Sequence, residues 1–232
     1  VIRTAVVTGG AGAIGRAVAT AFADSGAEVH VVDLSPETEV IAAEVGGIAH
    51  VLDVTDPDEL AELSELTSVD VLVNGAGAWE RVTLDELTPD AWRSSVDLNL
   101  NSSFFTTWAC RAALRRSRGV VVNVASAIAF KGHAEMAHYV AAKAGMIGMT
   151  KALAMEFGQD GVRVNAVAPG LVNTARNTEI WGDRQAAMSA ARALPLDLTV
   201  DDVVRAILYL TSGDARMMTG QTVVVDGGGY MH

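Results

Sequence analysis

The stretch "HYVAAK" (138–143) sets a tyrosine and, four positions later, a lysine into a segment otherwise rich in Ala, Gly and Met. Residues four apart share one face of a helix, so Tyr139 and Lys143 would stand as neighbours, an ammonium beside a phenol. Alone, the pair has two readings: proton-transfer chemistry, or a half-buried helix face with a snorkelling lysine. A second pattern bears on the choice. The apolar run "TAVVT" (4–8) leads straight into "TGGAGAIG" (8–15), where Gly10, Gly12 and Gly15 fit G-x-G-x-x-G. Glycines at a strand-to-helix turn let backbone amides and the helix N-terminus close on a pyrophosphate that any Cβ would hold off. Asp33 ends the next apolar run, "EVHVVD", eighteen residues beyond Gly15. A carboxylate there can accept hydrogen bonds from the hydroxyls of an adenosine ribose.

These residues need a frame. Seven β-branched runs recur, at 4–8, 28–33, 48–53, 70–74, 119–125, 162–168 and 222–227. They are continuously apolar rather than alternating, as strands covered on both faces are. Segments with helical spacing lie between them, for example Ile14, Val18, Ala21 and Phe22, and later Val203, Ile207, Leu208 and Leu210. Strand–helix alternation predicts an α/β fold: a single doubly wound domain of Rossmann type spanning 1–232, its seven-stranded parallel sheet covered by helices on both faces. Long helices are expected over 89–116 and 136–158. The least patterned segment, 171–199, leaves a strand's carboxyl end, where such sheets bind ligands. It reads as a lid over the substrate pocket, or else as an ordinary surface excursion.

With these motifs in order, the chain resembles the short-chain dehydrogenase/reductase family over essentially its whole length. That family's T-G-x-x-x-G-x-G turn aligns on Thr8, Gly9, Ala13 and Gly15, with Ala13 replacing the middle glycine. Gly12 and Ile14 lie within the same turn, and Leu34 directly follows Asp33. "LDVTD" puts Asp53 and Val54 where the family holds the adenine ring. "NGAG" resembles the family's N-N-A-G turn, with Asn74, Ala76 and Gly77 retained and Gly75 replacing the second Asn. "LNLN" offers Asn99, which the resemblance makes the support of a water-linked proton path to the lysine. "PGLVNT" resembles the segment that holds the nicotinamide carboxamide, here Pro169, Gly170, Val172 and Thr174.

The resemblance also makes Tyr139 and Lys143 the Y-x-x-x-K pair, and Ser126, thirteen residues before the tyrosine, the third member of the catalytic set. Hydride transfer to a carbonyl leaves an alkoxide that needs a proton, and the reverse reaction needs a base. A free phenol, with a pKa of about 10, is a poor base at neutral pH. A nearby ammonium favours the phenolate and is expected to bring that pKa down. The Ser126 hydroxyl would polarise the substrate oxygen, and Lys143 has the reach to contact the nicotinamide ribose.

Composition narrows the rest. Seventeen basic against 28 acidic residues give −11, which argues against a nucleic-acid partner. Cys110 is the only cysteine, consistent with a reducing compartment, and the first residues read as a strand rather than a signal peptide. Apolar runs are interrupted by Asn and Ser and fall short of a membrane span. His133 and His138 lack companions for a metal site, and Ser126 lacks the G-x-S-x-G turn of a hydrolase. Trp108, Cys110 and Phe104 read as core or subunit contact. Ile128, Phe130, His133, Trp79 and Trp181 are expected to wall a partly apolar substrate pocket. The expectation is a cytoplasmic homodimer or homotetramer that transfers a hydride between NAD(H), rather than NADP(H), and a secondary alcohol or ketone. The alternatives are an NADP-dependent 3-oxoacyl-thioester reductase and a catalytically silent dinucleotide-binding protein.

Overall fold

The computed structural model describes residues 2–231. Each β-branched run becomes a strand: β1 (Thr4–Thr8), β2 (Glu28–Asp33), β3 (Ile48–Val51), β4 (Val71–Asn74), β5 (Val120–Val124), β6 (Arg163–Pro169) and β7 (Thr222–Val225). They form one sheet in the order β3-β2-β1-β4-β5-β6-β7. All six pairings are parallel. The continuous apolar runs resolve into two alternating sets, because successive strand residues point to opposite faces. Ala5, Val7, Val29, Val31, Val71, Val73 and Val122 pack into one core cluster. Val6, Val32, Leu72, Val121 and Val164 pack into the other.

Helices α1 (Ala13–Asp24), α2 (Glu37–Glu44) and α10 (Val200–Thr211) supply the first layer, through residues such as Val18, Phe22, Ile41 and Ile207. Helices α3 (Ala61–Ser64), α5 (Ser102–Ser117) and α7 (Ala137–Phe157) supply the second, through Leu63, Leu114 and Phe157. A capping box between Thr199 and Asp202 fixes the start of α10. No helix among the described residues is long and apolar enough to cross a membrane.

Two expectations are corrected. The long helix over 89–116 is broken: α4 (Pro89–Val96) passes through a π-helical turn, Asp97–Asn101, before α5 begins. The segment 171–199 is not patternless. It carries α8 (Ala175–Trp181) and α9 (Asp183–Ala190), tied back to the body by a bridge from Val172 to Leu198. The short α6 (Ile128–Lys131) completes the set. Strand order reverses between β1 and β4, and a crevice outside the carboxyl ends of strands at such a switch point is where open α/β sheets hold ligands.

Candidate active site

The glycine turn after β1 is built by close backbone approach. Gly9 has φ +70°, and a Cβ there would lie 2.6 Å from the Gly75 carbonyl oxygen of the turn after β4. A Cβ on Gly15 would lie 2.1 Å from the Gly9 carbonyl oxygen, so α1 can dock on the turn only with glycine at that position. The Thr8 hydroxyl accepts from the amides of Gly75 and Ala76 at 3.2 and 3.3 Å, fastening the two turns together. α1 begins at Gly12 with no side-chain cap, leaving its first amides available to an anion. This uncapped, glycine-lined start fits the phosphates of a dinucleotide.

Those turns open into a cavity of about 560 Å³. Its wall includes Gly9, Gly12, Ala13, Ile14 and Gly15 on one side. Ser126, Tyr139 and Lys143 face the same space, with Gly77, Pro169, Gly170, Val172 and Thr174 beside them. β5 ends just before Ser126, and α7 presents Tyr139 and Lys143 one turn apart. The Lys143 Nζ donates to the Val124 carbonyl at 2.8 Å and lies 5.7 Å from the centre of the Tyr139 ring.

Burial dominates both groups. It pushes the Tyr139 phenol up to about 12, against the smaller downward pull of its hydrogen bond with Ser126. It brings the Lys143 ammonium down to about 8. The expected lowering of the phenol by the lysine is not what shapes this shift: desolvation is the largest cause, and the hydrogen bond with Ser126 is what opposes it. A phenol raised this far holds its proton at neutral pH and yields it only to a strong base such as an alkoxide.

Asn99 stands in the π-helical turn, fully buried. Its Nδ2 donates to the carbonyls of Ala78 (2.9 Å) and Ser95 (3.0 Å), and its Oδ1 accepts from the Ala78 amide at 3.2 Å. A Cβ on Gly77 would lie 2.7 Å from Asn99 Oδ1 and 3.3 Å from Lys143 Nζ, so both side chains approach that glycine. Single π turns inside α-helices recur at functional sites because they re-aim one side chain.

Other expected cofactor residues lie outside the cavity wall. Asp33 sits at the end of β2, its Oδ2 accepting from the Ala11 amide and its Oδ1 from the Ser35 amide, each at 3.0 Å. Leu34 beside it is exposed, and Val54 is buried in the core. The Asp53 carboxylate is taken by the amide and hydroxyl of Thr55, at 2.8 and 2.7 Å. Ala76 is buried beneath the turn.

The side chain of Asn74 is engaged within the fold. Its side chain faces inward, Nδ2 donating to Asn123 Oδ1 (2.8 Å) and Thr107 Oγ1 (3.0 Å) and Oδ1 accepting from Thr106 (2.6 Å). Asn123 continues the chain to Thr150 at 2.9 Å. A strand residue points to one face only, and at this register Asn74 faces the helices. Thr174 lines the cavity but also caps α8, accepting from the Asn177 amide at 3.2 Å.

Of the expected substrate-side residues, Trp79, Ile128, His133 and Trp181 line the cavity. Phe130 instead stacks on Tyr230, 4.9 Å between ring centres. Sequence reasoning missed Lys131, Arg176 and Asp226 on the wall. Asp226 follows β7, and its position at a strand's carboxyl end was the available signal.

Comparison with known proteins agrees with this geometry. The family described as enoyl-(acyl carrier protein) reductase matches residues 9–230. A probable galactose dehydrogenase of Rhizobium meliloti is 35% identical, over 97% of this chain and 94% of its own. The 2-dehydro-3-deoxy-D-gluconate 5-dehydrogenase of Bacillus subtilis is 34% identical, over 97% and 94%. The crystal structure of a 3-oxoacyl-[acyl-carrier protein] reductase with bound NAD from Brucella melitensis superposes with a TM-score of 0.90 at 34% identity, covering 99% of this chain and 92% of that one. The chain belongs to the short-chain dehydrogenase/reductase family and is an NAD(P)-dependent oxidoreductase acting on CH–OH and C=O groups.

Proposed function

We propose that the protein interconverts a secondary alcohol and a ketone with NAD(H) as its partner, using Tyr139 as the proton donor and acceptor. The observation that carries this reading is the convergence of Ser126, Tyr139 and Lys143 on the cavity that the glycine turn opens into. Gly12, Ala13 and Ile14 would hold the pyrophosphate and Asp33 the adenosine ribose, while Val172 and Thr174 would hold the carboxamide. Bound there, the nicotinamide ring gives or takes the hydride. Ser126 hydrogen-bonds the substrate oxygen and aligns it with the phenol. In reduction, Tyr139 gives its proton to the developing alkoxide; in oxidation its phenolate takes one up, a form scarcely populated at neutral pH for a phenol near 12. Lys143, charged below about 8, stabilises the phenolate left behind. Asn99 holds the Ala78 backbone and stands beside Lys143 across Gly77. It would anchor the water path that restores the tyrosine proton.

NAD(H) is favoured over NADP(H) by Asp33, whose carboxylate would meet the extra phosphate. Arg16, the nearest cation in sequence, is ion-paired with Glu44. The whole chain acts as one unit in this reading, with 171–199 as the lid. A cytoplasmic setting fits Cys110, which is buried and free. A homodimer or homotetramer fits the exposed Trp92, Phe104 and Trp108 on the helices around the π turn.

The test is a panel of secondary alcohols and ketones followed by NADH absorbance, with Tyr139→Phe as the control. General acid–base catalysis contributes about a hundredfold to ten-thousandfold, so the variant should lose at least that much turnover while still binding NADH. Turnover within tenfold of the parent would overturn the assignment. Retention of Ser126, Tyr139, Lys143 and Asn99 argues against a silent protein, for which no panel member would react.

A further inference from the structure

The lid side of the cavity is short of negative charge in a protein that carries −11 overall. Asp226 is the one carboxylate on the wall among the described residues, and its Oδ1 is taken by the amides of Gly228 and Gly229, at 3.0 and 3.1 Å. Lys131, Arg176 and Arg192 line the same space, and none belongs to an ion pair among the described residues; Arg192 already donates to the carbonyls of Leu196 and Leu171, at 2.9 and 2.8 Å. Arg176 makes one hydrogen bond, to the Trp79 carbonyl at 3.1 Å, which holds the start of α8 against the opposite wall and leaves most of its donors free. The contrast with Arg81 is instructive. Arg81 lies over the outer side of the same aromatic cluster, 5.4 Å from the Trp181 ring, and is neutralised by Glu135.

Two further groups add to the pattern. Trp181 Nε1 is buried without a partner. An indole N–H can only donate, and leaving it unpaired is costly unless an acceptor arrives with the ligand. His133 Nδ1 lies 2.6 Å from the Ala134 carbonyl, which can only accept, so Nδ1 carries a proton; in that tautomer of the imidazole Nε2 is an acceptor. Between these groups the rings of Trp79 and Trp181, 5.9 Å apart, form flat apolar walls. The cavity of about 560 Å³ has to hold the nicotinamide end of the cofactor as well as the substrate, which limits the substrate to a short chain.

Resting on the alcohol–ketone reading above, we infer that the substrate is a short hydroxylated carboxylate of the sugar-acid kind. Its carboxylate meets Arg176 and Lys131, a chain oxygen accepts from Trp181 Nε1, and a hydroxyl donates to His133 Nε2. The carbon bearing the reacting hydroxyl then lies toward Ser126 and Tyr139. A neutral polyol would leave Arg176, Lys131 and the indole N–H without a matching anionic acceptor.

The test compares four- to six-carbon aldonates with the polyols that match them in stereochemistry, gluconate against glucitol among them. Two readouts are used on the NAD-loaded protein: NADH formation, and quenching of the fluorescence of the cavity tryptophans. The expected result is that at least one aldonate binds and reacts at least tenfold better than its polyol. Arg176→Gln and Lys131→Gln should each cut that preference several-fold through KM for the aldonate. Trp181→Phe keeps the ring and removes the donor, and should weaken aldonate binding in the same way. Aldonates that bind no more tightly than polyols, or a preference untouched in both cation variants, would overturn the inference. Failure of the underlying reading looks different: aldonates quench the tryptophans saturably, yet no NADH forms from any panel member.

Discussion

Cofactor choice should turn on the charge of Asp33 and respond to substitution in a way that separates charge from architecture. The 2′-phosphate of NADP(H) would stand where this carboxylate meets the ribose. Two like unit charges about 4 Å apart repel by roughly 1 kcal/mol in water and about 4 kcal/mol at an effective dielectric near 20. At about 1.4 kcal/mol per tenfold, the preference for NAD(H) is roughly fivefold to a thousandfold. Asp33 is part-buried, and the amides of Ala11 and Ser35 pin its two oxygens, so it cannot swing aside without stranding both. Asp33→Asn removes the charge and keeps one acceptor, so the kcat/KM ratio of NADPH to NADH should rise at least tenfold. Asp33→Ala also unpins the glycine turn and should narrow the gap mainly by weakening NADH use. Adding Glu44→Gln to Asp33→Asn frees Arg16 and should raise NADPH use further. The assay is initial-rate reduction of one ketone with each coenzyme. A parent enzyme that prefers NADPH, or an Asp33→Asn ratio within twofold of the parent, would refute the reasoning.

Three further outcomes follow from other parts of the molecule. Because burial lowers Lys143 to about 8, kcat/KM for NADH in ketone reduction should fall as pH rises through that value. Lys143→Arg should lose that limb of the profile, and a parent profile flat to about pH 9.5 would exclude an ammonium requirement. His30 and His50 form a buried pair, Nδ1 to Nε2 at 2.8 Å, with Glu28 and Glu62 beside them. Burial first and His50 second hold His30 below its ordinary 6.5, against the upward pull of both glutamates. A lowered folded pKa means the unfolded chain binds more protons, so stability is full above about 6.5 and is lost as pH falls through the folded value. The urea midpoint should drop between pH 7.5 and 5.5, and His30→Gln should flatten that slope. Trp108 (49% exposed) and Phe104 (44%) stand out from α5. Trp108→Glu should reduce the particle seen by light scattering to the 24.2 kDa chain, whereas a parent already of that mass would rule out the oligomer.

What the sequence disclosed was governed by chain order. All seven strands lie where β-branched runs are, and β1 and β2 match to the residue, because strands covered on both faces leave an unbroken apolar signature. Gly15 was legible because its constraint is local, the helix pressing on its own turn, whereas the contact that requires Gly9 comes from Gly75 after β4, the strand beside β1 in the sheet. Tyr139 and Lys143 were legible for the same reason as Gly15, being one helical turn apart. Depth was the failing quantity. The spacing identified a phenol and an ammonium, but the desolvation that moves them to about 12 and about 8 comes from everything packed above them.

Side-chain direction was the other hidden variable, and Asn74 and Asn99 illustrate it together. Both stand in recognisable motifs, and both are buried asparagines. Asn74 spends its donors and its acceptor on Asn123, Thr107 and Thr106, bracing β4 and β5 against α5 from beneath the cavity. Asn99 acts through the opposite end of the same loop, fixing Ala78 by both its amide and its carbonyl. A regular helix through 97–101 advances each side chain by a fixed angle, and the wider π turn changes that angle for the residues it contains. Nothing in "DLNLN" marks the extra residue per turn, since helix propensity differs little between the two geometries. The loop that Asn99 fixes runs on to Trp79, and Trp79 is where Arg176 at the start of α8 is fastened. One helical irregularity thus places Asn99 both on the Ala78 backbone and beside Lys143 across Gly77, and neither contact can be read from the order of residues alone.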